Sequence, residues 1–159
     1  MRFPNYRKQI FEFFDEINRI HAQNDKRQMV LLLGIYSEYL TNELLRINFP
    51  KGNLEGIHSE KIKLDILKAS RFIAESEYEV LNLLRKIRNE YAHKLYIDEE
   101  EVKKLMKKIK INWVASKEEI KKLDEKFNKM PFTKFQSGCI AKIVFLFQRL
   151  QGKLKTGDT

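Results

Sequence analysis

Cysteine is nearly missing from this chain: Cys139 stands alone in 159 residues. A lone cysteine excludes an internal disulfide framework and a metal cluster built on cysteine alone, and it removes the main sequence sign of an oxidising compartment. Glycine (6) and proline (3) are scarce, which sets aside turn-rich all-β folds and low-complexity chains. Long apolar runs are missing as well. The run Ile143 to Phe147 is fenced by Lys142 and Arg149, whereas a membrane-spanning helix needs about 20 apolar residues. Arg2, Arg7, Lys8 and Glu12 interrupt the N-terminal stretch where a signal peptide would carry its hydrophobic region. The expectation is a cytoplasmic protein without membrane association, its mature form being the whole chain.

The familiar catalytic signatures are also lacking. There is no glycine-rich phosphate loop, no histidine pair at zinc-binding spacing, no Cys-x-x-Cys and no nucleophile elbow. No metal and no cofactor are expected.

What is present is helical periodicity. With 43% hydrophobic and 33% charged residues, the chain can bury one full core, so residues 1–159 are read as a single domain. Apolar residues recur at helical spacing almost throughout, which predicts an all-α bundle of about six or seven helices. A first helix runs from about Pro4 to His21, its stripe formed by Phe3, Ile10, Phe13, Phe14, Ile17 and Ile20. Asn24 or Asp25 caps a second, strongly apolar helix to about Asn48, the expected centre of the bundle. Pro50, Gly52, Asn53 and Gly56 mark a loop. A third helix covers about 59–69, and Ser76 with Glu79 forms a capping box for a fourth, carried by Val80, Leu84, Ile87 and Tyr91 to about Leu95. Asp98 with Glu101 and Ser116 with Glu119 open two charged helices, about 99–110 and 117–129. Pro131 ends that stretch, and Thr133 caps a last helix to about Leu154. Phe135, Phe145 and Phe147 give this helix apolar residues on more than one face, fitting either an interface or ordinary core.

The net charge is +9, which admits a polyanionic partner without identifying one. From Lys126 onward, Lys126, Lys129, Lys134, Lys142, Arg149, Lys153 and Lys155 face Asp158 alone. A solvated lysine face and a phosphate-binding track both fit that pattern.

Each of the three histidines can be weighed singly. His21 falls at a helix end, where an imidazole suits the C-terminal carbonyls, and His58 sits in the polar loop. His93 has different company: Ile87-Arg88-Asn89-Glu90-Tyr91-Ala92-His93. On a wheel of about 100° per residue with Val80 as origin, Leu84, Ile87, Tyr91 and Leu95 lie within about 60°, Asn89 near 180° and His93 near 220°. His93 therefore points away from the core. Arg88, near 80°, lies about 140° from His93, so a straight helix does not join them. Either the helix bends near Ala92 or a second subunit completes the pair.

The segment Ile87 to His93 resembles the signature of HEPN domains, in which an Arg, a polar residue directly after it and a His a few positions on mark the active site. It is most similar to the mannitol operon repressor-like branch, and the likeness extends through Asn42-Glu43-Leu44-Leu45, Gly56 to Leu64 and Phe135 to Leu150, over about residues 26–151. The resemblance implies a helical bundle, commonly a homodimer, that in many members cleaves RNA without metal. Under it Arg88, Asn89 and His93 are the catalytic residues and Glu90 an accessory one. Arg85, Lys86, Lys142 and Arg149 would hold the RNA backbone, and the expected partners are RNA and an antitoxin or regulatory protein. The repressor-like branch also implies an alternative, a non-catalytic transcriptional regulator or nucleic-acid or protein-binding module. No helix-turn-helix is evident, so direct operator reading is not expected. A purely helical interaction module is the third class.

Overall fold

The computed structural model describes residues 4–52, 54, 56–111 and 115–156, with backbone only from 154. Phe3, Arg2, Asn53 and Asp158, named above, lie outside the described residues. The elements are α1 (Tyr6–Gln23), α2 (Lys26–Asn48), α3 (Glu60–Ala69), α4 (Glu75–His93), α5 (Glu99–Lys107), α6 (Lys117–Asn128) and α7 (Pro131–Thr156). Among the described residues there is no strand, and no helix is long and apolar enough to cross a membrane.

Short polar side chains start most of these helices. Asn5, Asp25, Ser59, Asp98 and Ser116 each accept a hydrogen bond from a first-turn backbone N–H, satisfying a donor that has no partner within the helix. Ser116 and Glu119 form the expected reciprocal box. At α4 the start differs from the expectation. The helix begins at Glu75 rather than after Ser76, because the Glu77 carboxylate accepts the Ala74 N–H at 3.4 Å and sets the first turn there. Ser76 is thus inside the helix, its hydroxyl paired with Lys142 Nζ at 3.4 Å. α7 begins directly at Pro131, where a missing N–H costs nothing, so Thr133 lies within its first turn and does not cap it.

α2 and α7 form the hub. α2 packs on α1, α3, α4 and α7, and α7 on α1, α2, α4, α5 and α6. α2 buries residues on several faces, among them Met29, Val30, Leu33, Leu40 and Leu44, as its composition led one to expect. α7 buries Phe135, Cys139, Ile143, Leu146, Phe147 and Leu150, a single stripe at helical spacing. Phe145 falls off that stripe and is 58% exposed, whereas Phe135 and Phe147 belong to the core. Each such side chain contributes about 1.5–3 kcal/mol on burial.

α1 belongs to the bundle. It is tied to α2 by three tyrosine hydroxyls: Tyr6 donates to Glu43, Tyr36 to Glu16 and Tyr39 to Gln9, the last two at 3.0 Å. Phe13 packs against Tyr36 with the rings tilted, at a centroid separation of 4.7 Å. The charged α6 buries none of its residues and rests on α7.

Candidate functional site

The catalytic candidates Arg88, Asn89 and His93, with Glu90, lie on α4, and the way that helix ends decides their surroundings. Its last carbonyls are captured from α2: the Arg27 guanidinium donates to Tyr91 O at 2.6 Å and to Lys94 O at 3.1 Å, and Lys94 is extended. The helix therefore stops at His93. Leu95, expected to continue the buried stripe, is past the end and 80% exposed, and its neighbour Tyr96 is exposed as well. The wheel holds for Val80, Leu84, Ile87 and Tyr91, all buried.

His93 is exposed on the last helical residue, and its side chain makes no hydrogen bond among the described residues. Asn89, one turn earlier and half-buried, likewise makes none. Glu90 is ion-paired with Lys94. α4 remains helical through Ala92, so no break there brings Arg88 towards His93.

Arg88 turns the other way. Its side chain passes over Gly34 on α2 and forks between two carboxylates, Nη1 donating to Glu38 on α2 at 3.2 Å and Nη2 to Glu60 at the start of α3 at 3.3 Å. Its Nε is buried without a partner among the described residues. The Glu60 side chain is only 10% exposed, and burial pushes its carboxyl up; the Arg88 charge opposes that shift without overcoming it, and Glu38 adds to it. Sequence reasoning missed both carboxylates, which lie far from Arg88 along the chain. The signal for the crossing was present in Gly34, a lone glycine within an apolar helix, which marks a close approach.

The four expected backbone-holding residues are placed unequally. Lys86 is exposed on α4. Arg85 is half-buried and folded back on Asn82 Oδ1 at 3.0 and 3.2 Å. Lys142 reaches Ser76, as above. Arg149 serves the fold: its Nη1 donates to the Phe72 carbonyl at 2.9 Å and to Glu77 Oε2 at 2.7 Å, and its Nη2 to Glu77 Oε1. This bidentate pair ties α7 to α4, so the guanidinium is committed within the chain.

In a single copy the site thus consists of an exposed imidazole, an uncommitted amide one turn back, and an arginine bridged to two acids on the opposite side of the helix. No group of three His, Cys, Asp or Glu residues that could hold a metal occurs among the described residues. Compared with models of known protein families, with curated proteins and with solved structures, the chain matches none.

Proposed function

We propose that the chain is a HEPN-like, metal-independent endoribonuclease that works as a homodimer in the cytoplasm, as a toxin or defence component held in check by a protein partner. The observation that carries this reading is His93: an imidazole at a helix end, exposed and without a hydrogen bond among the described residues, can serve in proton transfer. It would take the proton of an RNA 2′-hydroxyl as that oxygen attacks the adjacent phosphorus. A second His93, from the other copy, would protonate the departing 5′ oxygen, leaving a cyclic phosphate and a 5′-hydroxyl. Asn89 would orient the imidazole or a phosphate oxygen, Arg88 of the other copy would supply positive charge to the phosphorane, and Lys86 would hold the backbone.

The second reading, a non-catalytic regulator or binding module, is favoured by the Arg88 fork. Two carboxylates already neutralise that guanidinium, and it lies away from His93. The deciding experiment incubates the protein with a mixed RNA pool in EDTA beside a His93→Ala variant prepared identically. Cleavage by the parent alone, with 5′-hydroxyl ends and equal helicity in both proteins, supports the nuclease. No cleavage by either, together with salt-sensitive RNA or DNA binding that survives His93→Ala, supports the binding module instead.

A further inference from the structure

Towards the end of the bundle away from His93, the segment that follows α5 and the face of α7 beside it leave two adjoining hollows, both lined by Lys110 and Ile111. Glu77, on the wall of one, is about 24 Å from His93 along α4, at about 1.5 Å per residue. The segment is pinned by its apolar residue. Ile109 is fully buried and enters α7 at Gly138, where a Cβ would stand 2.5 Å from Ile109 Cγ2. With Ile109 turned inward, Lys107, Lys108 and Lys110 are left exposed around it.

The first hollow, about 640 Å³, gathers these three lysines and Lys134 against a single carboxylate, Asp124. The ammonium groups of Lys107, Lys108 and Lys110 make no ion pair and no hydrogen bond among the described residues. Lys134 is 8% exposed and donates to two neutral oxygens, Lys107 O at 3.0 Å and Asn128 Oδ1 at 2.9 Å. Counting the C-terminal ends of α5 and α6 as about half a negative charge each, these and Asp124 offset about two of the four cations. An excess of positive charge remains for an anion to neutralise.

The second hollow carries the charge onward and adds a ring. Lys142 lines it with Lys110, about 12 Å beyond Lys134 on α7 at about 1.5 Å per residue, and its partner Ser76 is neutral. Glu77, the carboxylate on this wall, is taken by Arg149. Phe145, one turn after Lys142, lines the same hollow and is 58% exposed, so a large apolar ring on a long helix meets water beside cations. A bare phosphate chain would leave that ring unused, whereas every nucleobase has a flat face that stacks on an aromatic side chain.

We propose that these hollows hold a single-stranded nucleic acid, with Lys107, Lys108, Lys110 and Lys142 on its backbone phosphates and a base stacked on Phe145. The proposal extends the reading that the chain meets RNA to a surface remote from His93, and it does not depend on cleavage.

The probe is a fluorescein-labelled oligothymidylate of about 20 nucleotides, longer than one such surface covers. It lacks the 2′-hydroxyl that the proposed cleavage requires, so binding is read on the intact parent protein and a failure of the nuclease leaves this test untouched. Anisotropy at a series of salt concentrations is expected to show saturable binding. The triple variant Lys107→Gln, Lys108→Gln, Lys110→Gln lowers the slope of log affinity against log salt by about 2, at about 0.7 per phosphate contact. Phe145→Ala weakens binding about tenfold with the slope unchanged, and Phe145→Trp restores it. Arg7→Gln, Arg19→Gln, Lys51→Gln removes the same charge at exposed positions elsewhere and keeps the parent's slope. Inorganic triphosphate, which stands for a compact anion, competes only weakly. Circular dichroism shows equal helicity in all variants. The proposal is overturned if the folded parent does not bind the strand, if the lysine variant or Phe145→Ala binds as tightly as the parent, if the control variant loses as much slope as the lysine variant, or if triphosphate displaces the strand at equal concentration.

Discussion

Gly34 gives Arg88 its path across the bundle: a Cβ built on Gly34 would stand 2.2 Å from Arg88 Cδ and 2.9 Å from its Cγ. The two residues are therefore coupled, and a double-mutant cycle reads that coupling. In the parent, Gly34→Ala must displace Arg88 from Glu38 and Glu60, with an expected loss of about 1–3 kcal/mol. In an Arg88→Ala background the same substitution meets no obstacle, and alanine's helix propensity makes it stabilising by up to about 1 kcal/mol. Urea unfolding of the four proteins reports the reversal. An equal loss in both backgrounds would show that something other than Arg88 fills the space.

Glu60 gives the fold a pH dependence of defined sign. Its carboxyl is raised in the folded protein, by burial first, with Arg88 opposing. The folded state therefore holds this proton more tightly than the unfolded state does. The resulting stability is fully present below the ordinary value of 4.5 and is lost as pH rises from there through the raised folded value. Glu60→Gln removes this component, so the urea midpoint of the variant falls less than the parent's across that interval. Arg88→Ala removes the opposing charge and extends the loss to higher pH. A parent whose midpoint tracks that of Glu60→Gln throughout would refute the assignment.

The Glu77–Arg149 pair is a structural tie between α4 and α7, with the Glu77 side chain 8% exposed. Removing one partner leaves the other charge poorly satisfied, so Glu77→Ala costs about 3 kcal/mol, at the low end for a buried pair because Arg149 is partly exposed. Replacing both, Glu77→Leu with Arg149→Met, recovers most of that loss. Thermal unfolding of the single and double variants checks this order.

Lys86 is the cleanest test of a nucleic-acid contact, because it is exposed and on the candidate helix. If it meets a phosphate, Lys86→Ala weakens RNA binding uniformly across sequences. It also lowers the slope of log affinity against log salt by about 0.7–0.9. Fluorescence anisotropy at a series of salt concentrations measures the slope, and an unchanged slope removes Lys86 from the interface.

The fold was largely legible because it rests on local signals. Caps such as Asp25 and Ser59, the loop around Pro50 and Gly52, and the stripe on α4 each act within a few residues. The errors share a physical cause, in that a distant group overrode a local pattern. Arg27 ends α4 before Leu95, and Glu77 sets its start ahead of Ser76. The site was half legible. The outward direction of His93 follows from the phase of the helix. The fork holding Arg88 and the internal role of Arg149 depend on residues that only the folded chain brings together.

Cys139 offers a final consequence. It is fully buried on the inward stripe of α7, and burial pushes its thiol up, so the reactive thiolate is suppressed in the native state. Since α7 packs on α1, α2, α4, α5 and α6, exposing that sulfur requires the hub itself to part. A maleimide added to native protein then acts as a clock for whole-molecule opening: its slow labelling rate, divided by the rate for the denatured chain, gives the fraction of time the bundle stands open. The same residue that rules out a disulfide in the sequence thus carries its own gauge of stability, with no label to engineer.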